Sequence, residues 1–146
     1  MRLLVVNGAN LNMLGIREPQ LYGANTYAEL ERYIKNAASE LSVNVDIFQS
    51  NYEGDIIEAI HSAYKLMDGI IINAGAFTHT SLAILDALKA VGIPTVEVHL
   101  TDISKRESYR QFSYISEIAE KVFLGEGFLS YKKALEFFAN DNIKRN

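Results

Sequence analysis

The sequence contains no cysteine, which excludes disulfide bonds, thiolate zinc sites and a cysteine nucleophile. It has no excess of positive charge either. The net charge of −4 argues against a nucleic-acid-binding surface, although local charge leaves room for a small anionic substrate. No apolar run approaches the ~20 residues of a membrane span, and the chain opens directly into an apolar strand without a signal peptide. We therefore expect a soluble, cytoplasmic protein.

Motifs for nucleotide phosphates and for metal ions are also missing. No G-x-G-x-x-G follows the first predicted strand and no G-x-x-x-x-G-K-[ST] occurs, so phosphate-binding loops are not indicated. The three histidines, His61, His79 and His99, do not have the spacing of metal ligands. We interpret His61, in the middle of a predicted helix, as structural or surface. The sequence therefore predicts no metal site.

The pattern of the residues that are present predicts one α/β domain spanning residues 1–146. Its composition, 49% hydrophobic and 22% charged, is that of an ordinary globular protein. Strands are predicted at residues 3–6, 43–48, 69–72, 94–98 and, more weakly, 122–124, and helices at residues 26–41, 54–67, 81–91 and 128–139. Strands that alternate with helices predict a doubly wound sheet, here a flavodoxin-like three-layer sandwich with a five-stranded parallel sheet.

Local features add detail to this outline. Thr26 and Glu29 fit a capping box at the start of the first long helix. The most uniformly apolar run, residues 69–72, is predicted to be the central strand. Two apolar stripes are predicted to face the core: Ile56, Ile57, Ile60, Ala63 and Tyr64 on one helix, and Leu82, Leu85 and Leu88 on the next. Loops are expected at residues 8–25 and 100–113, and the polar residues 141–146 are expected to fray.

Polar residues follow three of the predicted strands at the point where each strand ends. Residues 7–10 follow the first strand, residues 73–79 the third and residues 99–102 the fourth. In an open parallel sheet, ligands bind outside the carboxyl ends of the strands. Three separate segments therefore predict one pocket at this edge of the sheet.

Glu97 and His99 lie two residues apart on the fourth predicted strand, so they face the same side of the sheet. A carboxylate near an imidazole fixes the tautomer of the ring and favours its protonated form. The pair therefore predicts His99 as a general acid and Glu97 as the residue that orients it. The alternative is a buried pair that only satisfies its own charges.

Arg17 and Tyr22 lie in the long loop after the first strand, between Gly15 and Gly23. A free tyrosine has a pKa of ~10 and is a poor base at neutral pH, but a neighbouring guanidinium favours the phenolate. One hypothesis is that this loop supplies an activated tyrosine and closes as a lid. From spacing alone, an ordinary solvated loop is the alternative.

Other candidates stay ambiguous on the residues alone. Asn10 and Asn73, at strand ends, offer neutral hydrogen-bonding groups that suit a hydroxyl-rich ligand. Hydroxyls at residues 78–81 either cap a helix or help to present backbone amides to an anion, and His79 fits a donor to the ligand better than a base. The cationic run at residues 105–110 either binds a carboxylate through an arginine or is a solvated charge run.

With these residues considered, the chain resembles the type II 3-dehydroquinate dehydratases over nearly its whole length. The resemblance is carried by NGANLN at residues 7–12, GIREP at 15–19 with YG at 22–23, QSN at 49–51, NAGAFTHTS at 73–81, EVHL at 97–100, RE at 106–107 with Arg110, and SY at 113–114. It implies a lyase that interconverts 3-dehydroquinate and 3-dehydroshikimate in the shikimate pathway without a cofactor.

The resemblance also implies roles for individual residues. Tyr22 resembles the acceptor of the C2 proton next to the ketone, and Arg17 resembles the lid arginine that supports the tyrosinate. His99 resembles the proton donor to the departing C1 hydroxyl, with Glu97 behind it. Asn10 matches a residue of the water-mediated enolate site.

Further positions match the substrate-binding residues of the family. They are Asn73, His79, Arg110, the backbone groups of Leu100 and Thr101, and Asp86, which the family contributes from a neighbouring subunit. A homododecamer, built as a tetramer of trimers, is implied by resemblance only. The expected partners are therefore the small-molecule substrate and further copies of the chain, with no nucleic acid and no membrane.

Three positions depart from the family pattern. Ala9 stands where the family usually has proline, and Ala74 where it often has proline, so the backbone is expected to be modestly looser there. Asp102 stands where the family usually has asparagine. Its extra negative charge is expected to weaken the binding of an anionic substrate or to favour the protonated form of His99. None of these changes removes a catalytic residue.

Three other functions fit parts of the pattern. A flavin-binding electron carrier would use the hydroxyls at residues 78–81 as a phosphate loop, but such loops follow the first strand. A receiver or sensor module needs acidic residues where this chain has Asn7 and Asn73. A catalytically dead homologue that only binds quinate-like ligands is opposed by the presence of Tyr22, Arg17 and His99.

Overall fold

Five parallel strands form one sheet in the order β2-β1-β3-β4-β5. The computed structural model of the protein describes residues 1–22 and 24–145, with side chains at each of these positions except 22 and 142–145. The strands are β1 (Arg2–Asn7), β2 (Asn44–Gln49), β3 (Gly69–Asn73), β4 (Thr95–His99) and β5 (Lys121–Leu124). The helices are α1 (Pro19–Tyr22), α2 (Tyr27–Glu40), α3 (Glu53–Ser62), α4 (Leu82–Val91) and α5 (Leu129–Arg145). Short 3-10 helices lie at Leu11–Met13, Gly75–His79, Ile103–Lys105, Ser108–Arg110 and Ile115–Glu117.

Alternating side chains of the inner strands pack on both faces of the sheet. On β1, Leu3 and Val5 belong to a hydrophobic cluster with residues of α2 and α5, while Leu4 and Val6 belong to a second cluster with residues of α3 and α4. Helices therefore cover both faces, as parallel strands require. The strand β3 lies in the middle of the sheet and is buried along its whole length. The predicted three-layer α/β sandwich and its central third strand are confirmed.

The ends of two helices are fixed by side chains that the sequence marks. The Thr26 hydroxyl accepts a hydrogen bond from the Glu29 amide at 3.2 Å, and the Thr26 amide donates to the Glu29 carboxylate at 2.7 Å. This is the predicted capping box, and it starts α2 one residue later. Ser81 caps α4 by accepting from the Ile84 amide at 3.0 Å, and the left-handed Gly92 follows the helix.

The structure corrects both predicted apolar stripes. Leu82 is 54% exposed, because a spacing of three residues drifts around a helix that advances about 100° per residue, so Leu82 points about 120° away from the buried Leu88. Tyr64 is 53% exposed, because α3 ends at Ser62 and the chain then turns through Lys65 with a φ of 61°. Helical periodicity no longer applies at that tyrosine.

Two further boundaries differ from prediction. The last helix continues to Arg145 rather than ending at residue 139, and the sequence beyond that point holds no proline or glycine that would stop it. Among the residues that the structure describes, the segments predicted as loops at residues 8–25 and 100–113 contain the four-residue helix α1 and three 3-10 helices of three residues each. Such single turns are too short to leave a periodic apolar pattern in the sequence.

Two glycines allow the segments after β1 and β3 to touch through their backbones. The Gly8 amide donates to the Asn73 carbonyl at 2.7 Å, and a Cβ on Gly8 would lie 2.2 Å from the Ala74 carbonyl oxygen. Gly75 has a φ of 61°, and a Cβ there would lie 2.5 Å from the Ala9 carbonyl oxygen. No larger residue fits at either position without moving the backbone. The two strand ends are therefore locked together at the edge where the pocket is predicted.

Candidate active site

A cleft opens at the carboxyl ends of β1, β3 and β4, and its empty space, including the open mouth, is about 490 Å3. Among the predicted site residues, it is lined by Arg17, Asn73, His79, His99, Leu100, Thr101 and Arg110. The lining also includes Ala9, Leu11, Gly75, Ala76, Ile103 and Arg106. The three strand ends that the sequence indicates thus meet around one cleft.

Glu97 and His99 form a buried pair at the end of β4. The Nε2 atom of His99 lies 2.6 Å from Oε1 of Glu97, and the side chains are 6% and 0% exposed. Burial opposes the ionisation of Glu97, but the hydrogen bond and charge of His99, with hydrogen bonds from Ser113 and Ser116, outweigh burial and hold its pKa below the usual value. An ionised Glu97 accepts a hydrogen bond from the Nε2–H group of His99. The other ring nitrogen, Nδ1, is therefore the one that Glu97 does not contact.

Hydroxyl groups from three neighbouring segments surround the Glu97 carboxylate. Thr78 donates to Oε1 at 2.9 Å, Ser113 donates to the same oxygen, and Ser116 donates to Oε2. The contact of Thr78 differs from its predicted roles as a helix cap or an anion binder, and the sequence predicts no role for the two serines. The sequence holds an indirect signal: a carboxylate in a buried parallel strand needs partners, and serine and threonine hydroxyls are neutral donors that can supply them.

Asn73 is held by a network that crosses the sheet. Its Nδ2 donates to the Tyr131 hydroxyl at 3.0 Å, and its Oδ1 accepts from the Gly75 amide at 3.2 Å. The Tyr131 hydroxyl in turn donates to Oδ1 of Asn7 at 2.7 Å. Complete burial raises the pKa of Tyr131 far above its usual value, so the phenol is a neutral link. The orientation of the Asn73 amide is therefore fixed, with one Nδ2 hydrogen left for a ligand.

His79 presents its ring to the cleft in one defined orientation. Its Nδ1 lies 2.7 Å from the Phe112 carbonyl oxygen, which can only accept, so Nδ1 carries a proton. In the neutral ring Nε2 is then an acceptor, and it becomes a donor only when the ring is protonated. The geometry therefore refines the prediction of His79 as a donor to the ligand.

Three guanidinium groups line the cleft, from Arg17, Arg106 and Arg110, and its described lining contains no aspartate or glutamate. The Nη1 atom of Arg106 donates to the Thr101 hydroxyl at 3.5 Å, and Nε of Arg110 lies 3.4 Å from the Glu107 carboxylate. Arg106 was not among the predicted site residues, because the cationic run could not be divided by composition alone. A cleft lined in this way favours an anionic ligand although the whole chain is acidic.

Besides Glu97, which is buried behind His99, two predicted site residues with described side chains lie outside the lining of the cleft in a single chain. Asn10 is exposed and left-handed, with a φ of 68°, and its amide donates to Oδ1 of Asn51 at 2.9 Å, while its neighbours Ala9 and Leu11 line the cleft. Asp86 is exposed on α4. The backbone of Tyr22 ends α1, and its side chain lies outside the described residues.

Asp102 is not among the residues that line the cleft, although its neighbours Thr101 and Ile103 are, and the expected effect of its charge on the substrate stays a prediction. Its carboxylate accepts from the Ser104 amide at 3.0 Å and from the Ser104 hydroxyl at 2.6 Å, which caps the turn Ile103–Lys105. The hydrogen bond from the Ser104 side chain is the main cause that holds the pKa of Asp102 below its usual value. This carboxylate is therefore engaged by its own loop.

None of the helices in the described part of the chain is both long and apolar enough to cross a membrane. No group of three histidine, aspartate or glutamate residues within residues 1–22 and 24–145 is placed to hold a metal ion.

Comparison with known proteins identifies relatives along the whole chain. The family model described as dehydroquinase class II matches residues 1–139. The 3-dehydroquinate dehydratase of Synechococcus sp. is 49% identical over 96% of this chain and 95% of its own, and catabolic 3-dehydroquinase 2 of Aspergillus terreus is 46% identical over 99% and 98%. The crystal structure of type II dehydroquinase from Butyrivibrio crossotus superposes with a TM-score of 0.92 at 41% identity, over 96% of this chain and 97% of that one. The resemblance inferred from the motifs is confirmed, and the electron-carrier and receiver alternatives are wrong.

Proposed function

The chain belongs to the class II dehydroquinase family and is a 3-dehydroquinate dehydratase, a lyase of the shikimate pathway, and from that premise we propose how its cleft performs the reaction. The elimination is anti and passes through an enolate. A base removes the C2 proton next to the ketone, and the electron pair of that bond forms the enolate. The C1 hydroxyl then leaves as water with a proton from a general acid, and the C1–C2 double bond forms.

The observation that carries this proposal is the buried Glu97–His99 pair at the floor of the cleft. An imidazolium at His99 is the acid that the departing hydroxyl needs, because hydroxide itself is a poor leaving group. The 2.6 Å contact with Glu97 orients the ring and fixes which ring nitrogen faces the carboxylate. Glu97 therefore acts through His99 rather than on the substrate.

Tyr22 is proposed as the base, in the phenolate form. Arg17 lines the same cleft and lies in the same segment of chain, five positions earlier, where its guanidinium would favour the phenolate over the phenol. The role of Tyr22 comes from the family resemblance. The position of Arg17 supports it, since a cation at the mouth of the cleft also stabilises negative charge that develops on the substrate.

The remaining cleft groups are proposed to hold the substrate. Arg110, the fixed amide of Asn73, the ring of His79 and the backbone of Leu100 and Thr101 offer partners for one carboxylate and several hydroxyls. Asn10 would hold water at the enolate oxygen. Asp86 would enter the site of a neighbouring subunit in a homododecamer, which fits its exposure on α4. No cofactor, one catalytic domain over residues 1–146 and a cytoplasmic location remain predictions.

The test is the substitution Tyr22→Phe, followed by the ultraviolet absorbance of the conjugated enone product. We expect turnover to fall by about two to four orders of magnitude, the range for loss of a general base, with binding of a substrate analogue retained. Tyr52→Phe is the matched control, because Tyr52 is 73% exposed and lies outside the cleft lining. A wild-type sample pretreated with borohydride should keep its activity, since no Schiff base forms. A near-wild-type kcat in Tyr22→Phe would refute the proposed base.

A further inference from the structure

The carboxylate of Glu97 has 0% exposure, yet both of its oxygens receive hydroxyl hydrogen bonds. The donors come from separate segments: Thr78 from the 3-10 helix after β3, Ser113 from the loop that follows the arginines, and Ser116 from the turn before β5. Thr78 and Ser113 also lie 2.6 Å apart, oxygen to oxygen. We refer to these three residues as the hydroxyl cage.

A buried carboxylate beside an imidazole can share one proton in two ways. The proton lies either on the ring, giving an ion pair, or on the carboxyl, giving a neutral pair, and the net charge is the same in both. Burial favours the neutral pair, because each charge of the ion pair has lost its water. Hydroxyl donors favour the ion pair, because a carboxylate accepts more and stronger hydrogen bonds than a carboxylic acid. Among the described groups within hydrogen-bond distance of Glu97, His99 is the one that titrates.

We propose that Thr78, Ser113 and Ser116 are positioning residues that keep the shared proton on His99 by stabilising Glu97 as an anion. This inference rests on the proposed role of His99 as the general acid. With the proton on the ring, His99 is an imidazolium and a competent acid. With the proton on Glu97, the ring is neutral and donates far less readily.

The hydroxyl cage also acts after the proton has been given away. When His99 protonates the departing hydroxyl, Glu97 loses its positive partner and is left as a buried anion. The three hydroxyls and the Nε2–H of the neutral ring then stabilise it, and the hydroxyls need no reorganisation because they already point at the carboxylate. The cage therefore favours both the acid form that starts the step and the state that follows it.

The first experiment compares Ser116→Ala and the double variant Ser113→Ala/Ser116→Ala with the wild type by infrared spectroscopy of the resting enzyme at neutral pH. We expect the band of a protonated, buried carboxyl in the double variant, absent from the wild type and removed by a further Glu97→Gln substitution. Turnover should fall about tenfold or more, and the high-pH limb of kcat/KM, which reports loss of the shared proton from the pair, should move up by about one pH unit, as expected for a lost hydrogen bond to a charged group. Ser62→Ala is the control, because Ser62 is exposed on α3 and bonds only its own helix.

A buried threonine provides a second pair of variants in case the double serine variant is unstable. Thr78→Val removes the hydroxyl with little change of volume, and Thr78→Ser restores it. The proposal predicts that valine moves the high-pH limb of kcat/KM up and that serine returns it. The proposal would be overturned if activity fell while the infrared band of a protonated carboxyl stayed absent and the pH profile of kcat/KM did not move. The hydroxyl cage would then have a structural role only. If the wild type formed no enone at all, the proposed function would fail, while the infrared comparison, which needs no turnover, would still decide where the proton lies.

Discussion

Replacing Tyr131 by phenylalanine would remove one hydroxyl from the centre of the molecule and leave two buried amides without their partner. Tyr131 has 0% exposure, donates to Oδ1 of Asn7 at 2.7 Å and accepts from Nδ2 of Asn73 at 3.0 Å. An unsatisfied buried polar group costs about 1–3 kcal/mol. In the variant, two buried amide groups face the apolar phenylalanine ring without a hydrogen-bond partner. We therefore expect the free energy of unfolding to fall by about 2–5 kcal/mol.

The assay is equilibrium unfolding in urea, followed by far-ultraviolet circular dichroism at one fixed protein concentration, since assembly shifts apparent stability. The midpoint should fall while the slope m stays constant, because the surface exposed on unfolding is nearly unchanged. The melting temperature should fall by roughly 3 °C for each kcal/mol in a chain of this length. Tyr52→Phe is again the control, since its ring is 73% exposed, and its change should stay below about 0.5 kcal/mol.

The pH dependence supplies an independent check on the same hydroxyl. Burial raises the pKa of Tyr131, so its stabilising effect is fully present below the unfolded tyrosine value of about 10 and is lost as the pH rises above it. The difference in stability between wild type and Tyr131→Phe should therefore be constant from neutral pH to about 9 and then narrow. A difference below about 0.5 kcal/mol at neutral pH would refute the reasoning, because it would show that both amides find other partners.

Two further predictions concern the loops around the cleft. Arg17→Ala should move the low-pH limb of the activity profile to higher pH, because that limb reports ionisation of the base and the guanidinium that favours a phenolate is lost; an unchanged profile from a pH–rate measurement would mean that Arg17 only binds substrate. Ala74→Pro should raise the free energy of unfolding by about 0.4–1 kcal/mol in urea, because Ala74 already has a φ of −73° and follows an extended residue, so proline restricts mainly the unfolded chain. A loss of stability there would show that the buried backbone cannot accommodate the ring.

The fold could be predicted because its determinants are local and repeat along the chain. The inner strands β1 and β3 are short apolar runs, and the capping box at Thr26 or the cap at Ser81 marks where a helix begins. The position of the cleft followed from topology, since the carboxyl ends of parallel strands share one edge. The pair Glu97 and His99 was visible for the same reason, as a spacing of two on one strand.

The supporting contacts could not be predicted, because they join residues that are far apart in sequence. Tyr131 lies 58 positions after Asn73 and 124 after Asn7, and nothing in its own helix distinguishes it from a core aromatic residue. Ser116 lies 19 positions after Glu97 in an irregular segment. Hydrogen bonds of this kind carry no period, so a single sequence does not reveal them, although the need for partners at a buried carboxylate or amide can be foreseen.

Asp102 is the charged departure from the family pattern that the resemblance implies, and the structure shows which groups its carboxylate contacts. Aspartate and asparagine are both good caps, and Asp102 uses its carboxylate to accept from Ser104 while Lys105 lies 3.8 Å away. The negative charge is therefore held by the turn that follows Thr101 rather than added to the lining of the cleft, where three arginines remain. Because a charge engaged at the surface is screened by solvent, its effect on a bound anion should be small. Asp102 thus anchors the loop that carries the backbone groups of the site.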